Sequence, residues 1–469
     1  MKPAEIHYVQ STVRQFHGAA EKQTRFEICD SHLGQREVND FCQRLFEELT
    51  NQHDYPSSLR SSNLQHSSGF IKAFNVCRQS TFKQANRHSC PLLLLHRWPE
   101  GAPFALLLSH DIDQIYDREL FRVIADINHI RRVRFKGEKG NITLGTKRLI
   151  RSIFRPKRTL HDFETILEIE RRHGFRSTFF VLHDLYWARQ GARFSLQDNE
   201  LKEIGRLLLS AGCELGVHGG YYRFNNATAY RQSREAISQV FGIEAVGIRN
   251  HLLRFSYPET WRAQAEAGFE YDTTYGWPNA LGPRSGLAFP FFTYDKEKQK
   301  VLDLIELPLT VMDTTLFRYL KLEGEQALNA AWEVIEPIAT SGGLVTLLWH
   351  NNYFNEPEYR DWQVVYQELL RRLASLRPWC ATGAEINRWW RKRSAIRCVE
   401  AKETASGWQW VVEFPQDIDD TVFQIKPSGL VSDIKVEHSM AKVSRNTDAW
   451  EVHFPKTTAG TKVEIQSVR

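Results

Sequence analysis

No stretch of this 469-residue chain stays apolar for long. Its longest apolar runs, such as Pro91 to Leu95, fall far short of the roughly 20 residues that span a bilayer, so no membrane-crossing helix is expected. Met1 to Phe16 alternate charge and polarity without an apolar h-region, so the expectation is a chain without a secretory signal. The seven cysteines (Cys29, Cys42, Cys77, Cys90, Cys213, Cys380 and Cys398) show no CxxC spacing. That speaks against a zinc ribbon and a disulfide scaffold and suits a reducing compartment, with the cytoplasm as the expected location. No nucleic-acid motif accompanies the basic residues, so DNA and RNA are not expected partners.

What is present suits packed domains. Hydrophobic residues make up 42% and aromatic ones 12%, enough for folded cores, and the length calls for two or three domains. Net charge is +5, unevenly spread: Arg131 to Arg158 hold eleven Lys or Arg against the single acid Glu138. Such a segment reads first as a solvated insertion. It would also attract a phosphorylated lipid, an anionic membrane surface or an acidic glycan.

Three regions differ in pattern. Residues 1–98 hold one amphipathic helix, with Val38, Phe41, Cys42, Leu45, Phe46 and Leu49 on one face, then a polar loop from Tyr55 to Ser68; they read as an N-terminal accessory α+β domain. Residues 99–395 repeat helix, glycine and strand. Thr159 with Asp162 resembles a capping box before a helix ending at Gly174, and Arg176 to Val181 reads as a strand. Asp198 or Asn199 opens a helix that Gly212 ends. Ser256 and Glu259 form another expected box, with Gly268 as the stop and Phe269 to Asp272 as the next strand. Ala327 to Glu336 reads as a helix broken at Pro337, and Leu344 to Trp349 as a buried strand. This alternation argues for a parallel α/β sheet or a barrel of βα units. Residues 400–469 switch to short alternating runs, such as Trp408 to Phe414, Thr421 to Ile425 and Trp450 to Phe454, and read as a small all-β, sandwich-like module. Trp408 and Trp410 are read as core, with glycan contact as the alternative.

Four polar clusters fall where strand-like runs stop: His110-Asp111-Ile112-Asp113, His218, Arg249-Asn250-His251 and His350. Strand ends are where parallel α/β folds assemble chemistry. Asp-x-Asp puts two carboxylates on one side of a strand end, so that one can bind a cation while the other acts as a base. A histidine at the lip of so apolar a run as Leu347-Leu348-Trp349 needs a carboxylate partner to stay useful as an acid.

In this order, Ser109-His110-Asp111-Ile112-Asp113, Gly216-Val217-His218, Gly247-Ile248-Arg249-Asn250-His251, Tyr271-Asp272 and Leu348-Trp349-His350-Asn351 resemble the motifs of the NodB-type polysaccharide deacetylases, carbohydrate esterase family 4. Arg176 to Val181 resembles the family's second strand. The match covers roughly residues 99–395, and its first motif is of the Asp-x-Asp kind rather than the commoner adjacent pair.

The resemblance implies a distorted (β/α)7 barrel and a metal-dependent N-deacetylase acting on an acetylated amino sugar. Asp111 would be the general base, oriented by Arg249. Asp113 and His218 would be metal ligands, and His350 the general acid, held by Asp272. Arg284 and Asp313 are alternative orienting groups. Where the family places a second ligand histidine, four residues after the first, this chain has Tyr222; His251 is expected to complete the metal site in its place. Tyr222, Arg284, Trp349 and Asn351 are expected substrate contacts. The cofactor is a divalent cation, most plausibly Zn²⁺, with Co²⁺, Mn²⁺, Ni²⁺ or Fe²⁺ as other fits.

With a cytoplasmic location, the expected substrate is a lipid- or nucleotide-linked precursor of a surface polysaccharide or O-antigen, met at the inner face of the membrane through peripheral association. Two other readings stand beside this one. The first is a C-N hydrolase of a small non-sugar molecule; the second is a catalytically inactive glycan-binding or scaffold protein.

Overall fold

The computed structural model of the protein describes residues 92–115, 161–184, 190–354, 359–426, 431–447 and 449–468, with a few isolated positions between 127 and 150. The helix expected around Val38 to Leu49, the loop after it, most of the basic segment and the cap at Thr159 lie outside the described residues.

The described chain opens with β1 (Leu92–Leu95), β2 (Ala105–Ile112), α1 (His161–Arg171) and β3 (Ser177–His183). It continues through α2 (Asn199–Ser210), β4 (Glu214–Gly219), α3 (Ala227–Phe241), β5 (Gly247–Asn250), α4 (Glu259–Glu266) and β6 (Tyr271–Asp272). Then come β7 (Phe291–Asp295), β8 (Lys300–Glu306), β9 (Val311–Met312), α5 (Gly324–Thr340), β10 (Leu344–Leu348), α6 (Arg360–Ser375), β11 (Trp379–Cys380) and α7 (Gly383–Ala395).

One sheet runs β7-β8-β6-β5-β4-β3-β2-β10-β9, with β11 beside the start of β2. Every pairing in it is parallel except β7 with β8. Among the described residues no ladder joins β9 to β7. The chain leading into β7 spans the gap: Gly282 N–H donates to Thr310 C=O (2.8 Å), and Leu344 N–H to Ala288 C=O (2.6 Å). The result is a distorted βα barrel, as the resemblance implies and as one of the two architectures that the alternating pattern allows. All eight residues of β2 are buried, as a strand covered on both faces requires.

Two local expectations fail for identifiable reasons. Pro337 does not end its helix. α5 continues to Thr340, because the N–H that Pro337 lacks costs only one bond; in the last turn the Thr340 hydroxyl donates to the carbonyls of Glu336 (2.9 Å) and Pro337 (3.2 Å). Ser256 does not cap α4: Pro258 holds the position before the helix, and the Ser256 N–H instead donates to Thr260 Oγ1 at 2.8 Å.

Beyond the barrel lie β12 (Arg397–Thr404), β13 (Gly407–Phe414), β14 (Ile418–Lys426), β15 (Asp433–Val436), β16 (Lys442–Arg445), β17 (Trp450–Thr457) and β18 (Thr461–Val468). They form two four-stranded sheets, β12-β13-β18-β15 and β1-β14-β17-β16, so β1 is an edge strand paired antiparallel with β14. Phe414 of one sheet meets Phe423 (6.2 Å) and Phe454 (5.6 Å) of the other, making a sandwich core. Trp410 is fully buried there, and Trp408 stacks on it, half-buried, at 6.5 Å.

Candidate active site

The site lies at the C-terminal ends of the parallel strands. Strands run further than the apolar residues alone suggest: β2 keeps pairing with β3 through Ile112, so His110 and Asp111 are strand residues and Asp113 is the first beyond. Alternation turns Ser109, Asp111 and Asp113 to the barrel interior and His110 to the helices.

Arg249 on β5 reaches across the interior. Its guanidinium donates to Asp111 Oδ1 (3.0 Å), Ser109 Oγ (2.9 Å) and both the carbonyl and hydroxyl of Thr273 (3.2 Å each), and it lies over the Phe180 ring at 4.6 Å. Asp111 is thereby fixed through one oxygen. Its other oxygen faces His218 Nε2 at 3.6 Å.

Three imidazoles converge on Asp113. His218 Nδ1 donates to the Arg249 carbonyl (2.8 Å) and His251 Nδ1 to the Gln190 carbonyl (3.2 Å). A carbonyl only accepts, so each ring carries a hydrogen on Nδ1, which leaves Nε2 as the atom that can bind a cation. Those Nε2 atoms lie 3.3 Å and 3.8 Å from Asp113 Oδ1. His350 Nε2 is 3.9 Å from Asp113 Oδ2. Leu252 and Leu253, directly after His251, take left-handed φ values of 58° and 50°, an unusual backbone for leucine that kinks the chain where the ring enters the site.

The donor set fits a divalent cation. Asp113, His218 and His251 each contribute one atom, and the three lie within 4.8 Å of one another. Two donors bonded at 2.0–2.1 Å to one tetrahedral ion stand about 3.3 Å apart, close to the separations seen here. Asp113 Oδ1 and His218 Nε2 are buried and make no hydrogen bond, although they face each other. Buried polar atoms are rarely left so, and a shared cation would satisfy both.

Charge at the site follows from these contacts. Burial alone would raise the Asp113 carboxyl, but His251, His218 and His350 together hold it far below the usual carboxylate range. Burial pulls His251 down, which keeps it neutral as a ligand must be. His350 is also pulled down by burial, yet Asp313, Asp113 and Asp111 outweigh this and lift it to about 9.

The structure corrects the partner of His350. Asp272 does not hold it; Asp313 does, accepting from His350 Nδ1 (2.8 Å) and from its backbone N–H (2.6 Å). Asp272 has the opposite parity, since Thr273 faces Arg249 while Asp272 faces α4 and takes bonds from Gln264 (3.0 Å) and Thr274. Beside it in register is Glu306 of β8, itself bonded by Trp261 Nε1 at 3.0 Å. Burial raises Asp272 to about 6, and burial with the Asp272 charge raises Glu306 well above the ordinary value.

The sign follows. Stability from this pair is complete below the ordinary carboxyl value of about 4 and is lost as pH rises through the raised values. Asp272→Asn keeps the acceptor and supplies a permanent donor toward Glu306. We expect its thermal midpoint to fall less than wild type's between mildly acidic and alkaline pH, a difference measurable by calorimetry.

Of the expected substrate contacts, Tyr222 is 47% exposed at the end of β4, where its backbone N–H is held by Asp184 (3.0 Å). Arg284 lies over the rings of Tyr275 (4.6 Å) and Trp277 (5.0 Å). Asn351 is buried and donates to the Gln114 carbonyl (3.0 Å). Trp349 is fully buried against Tyr366 (5.2 Å), on the helix side of its strand, and is not brought to the site. Thr273 and the Gln190 carbonyl support the site without any sequence signal that marks them, and Ser109, inside the first motif, adds its hydroxyl to the hold on Arg249.

No family model and no curated protein matches the chain. Solved structures do. The chain is similar in fold to polysaccharide deacetylases. A candidate polysaccharide deacetylase from Mycobacterium smegmatis superposes with a TM-score of 0.42 at 19% identity, over 64% of this chain and 93% of that one. The allantoinase Puue gives 0.42 at 15% identity, over 62% and 92%. The peptidoglycan deacetylase PdaC from Bacillus subtilis gives 0.32 at 12% identity, over 62% and 95%.

Proposed function

We propose that this chain is a metal-dependent N-deacetylase of the carbohydrate esterase family 4 kind, hydrolysing the acetamide of an amino sugar. One observation carries the reading: a carboxylate and two correctly tautomerised imidazoles meet at one point, with an arginine-held carboxylate on one side and a carboxylate-held imidazole on the other.

Asp113, His218 and His251 would hold the ion, with Zn²⁺ favoured by two nitrogens and one oxygen. A bound divalent cation supplies polarisation of the acetyl carbonyl and a more acidic water. The free oxygen of Asp111 takes the proton of the attacking water, while Arg249 holds and aims that carboxylate. Collapse to acetate breaks the C–N bond, and His350 delivers a proton from Nε2 to the departing amine. Asp313 fixes the ring by its Nδ1–H so that Nε2 faces the site.

The substrate we favour is a lipid- or nucleotide-linked precursor of a surface polysaccharide, O-antigen or glycolipid, met in the cytoplasm at the inner membrane face. The basic stretch from Arg131 to Arg158 supports an anionic precursor or surface. No helix among the described residues is long and apolar enough to cross a membrane. Acetate release should be measured from free, nucleotide-linked and lipid-linked N-acetylated sugars, with Zn²⁺, Co²⁺ or Mn²⁺ added. We expect release from an anionic, linked sugar and none after chelation. Release of ammonia instead, from a ureide or other small amide, would replace this reading by a different C-N hydrolase.

A further inference from the structure

The pairing of β10 with β2 ends at Leu348 with Ser109, followed by a last backbone bond from Trp349 N–H to the Ser109 carbonyl (3.0 Å). His350 therefore hangs just past the end of its ladder. The carbonyl of Trp349, next in line, is held by a side chain: His110 Nδ1 lies 2.6 Å from it. His110 Nε2 lies 2.8 Å from Glu170 Oε1 on α1, and Glu170 also accepts from Tyr366 OH of α6 (2.6 Å) and Ser177 Oγ of β3 (2.7 Å). His110 and Glu170 are both buried, and the imidazole stacks on Phe179 at 4.7 Å with Phe354 and Tyr366 at its edges.

Both nitrogens of the ring thus face oxygen. A carbonyl has no hydrogen to give, so Nδ1 donates, and Nε2 pairs with the Glu170 carboxyl. Packing alone would be served as well by an apolar pair of this volume, without the cost of burying polar groups. What the polar pair adds is direction: it ties the strand bearing Asp111 to the residue before His350 and anchors the tie in two helices.

Resting on the deacetylase reading, we infer that His110, braced by Glu170 and Tyr366, is a positioning residue that sets the separation of Asp111 and His350 by holding the Trp349 carbonyl beyond the end of the β10 ladder. It touches no substrate.

The two amide isosteres divide its bonds. Asparagine places a donor near the Nδ1 position and glutamine near the Nε2 position. His110→Gln keeps the bond to Glu170 and loses Trp349; we expect kcat to fall about 10- to 100-fold, as for loss of a residue that orients a catalytic group, with KM and bound metal unchanged. His110→Asn keeps the Trp349 bond and should recover most of that loss. The ring resonances of His350 in the metal-free protein, followed by NMR against pH, should move in His110→Gln and return toward wild type in His110→Asn.

That second readout separates failures. If no substrate is turned over by wild type, the deacetylase reading falls while the His350 resonances still test the tie. Equal losses in both variants, accompanied by a lower thermal midpoint, would reduce His110 to structural packing. Wild-type kinetics and resonances in both would also overturn the inference. Should His110→Gln fail to fold, Tyr366→Phe removes one brace and leaves the ring; a smaller fall in kcat with the same displacement of the His350 resonances is expected, and none would overturn it.

Discussion

His251→Ala will weaken metal binding by more than about 100-fold, beyond what is typical for losing a partner that merely supports a ligand. Hydrolysis will be lost with the metal at ordinary ion concentrations. Three facts combine in this expectation. His251 Nε2 lies 3.8 Å from Asp113 Oδ1, its Nδ1–H is spent on the Gln190 carbonyl, and burial keeps it neutral. Tyr222→Ala, four residues after His218, will retain its metal because the side chain at that position points into solvent. Equilibrium dialysis with elemental analysis of both variants checks the pair of outcomes. Full occupancy in His251→Ala would remove His251 from the ligand set, and loss of metal in Tyr222→Ala would put the third ligand elsewhere.

His350→Ala will slow turnover by about 10²- to 10⁴-fold, the ordinary cost of losing a general acid, while leaving metal content intact. Its pH dependence has a defined sign. In the proposed mechanism the imidazolium is the acid, and the carboxylates around it lift His350 to about 9 without a cation. Activity is therefore present below that value and lost as pH rises through it; a cation on Asp113 places the wild-type alkaline limb at or below it. Asp313→Asn removes the chief stabilising charge, so the limb moves to lower pH by at least about one unit. A profile of kcat against pH that keeps its alkaline limb in Asp313→Asn would separate the acid role from His350.

The sequence carries the barrel because its alternation of helix, glycine and buried strand is periodic. It carries Asp111, Asp113, His218 and Arg249 because a polar residue interrupting an apolar strand end stands out. Parity is less legible. Asp272, His110 and Trp349 also sit at strand ends, yet each lies one residue out of phase with the interior and faces the helices. A shift of one residue reverses the face, and nothing short of the pairing register fixes it. Asp313 stands out only as an alternative orienting group, for another reason: it follows a two-residue strand too short for any period, and its bond to His350 spans 37 residues of chain.

β1 gives the molecule an unusual order of assembly. Its four leucines leave the chain before the barrel, but their hydrogen-bonding mate, β14, is made more than 300 residues later. Until then Leu93 to Leu95 have no sheet to cover them, and a nascent or truncated chain lacking residues after Ala395 would display that greasy edge to its neighbours. The clasp is reinforced from the barrel side, where Arg393 of α7 donates to the carbonyls of Leu95 (3.2 Å) and His96 (3.0 Å). Cutting away the terminal sandwich to obtain a smaller enzyme would therefore unfasten the entrance of the barrel as well.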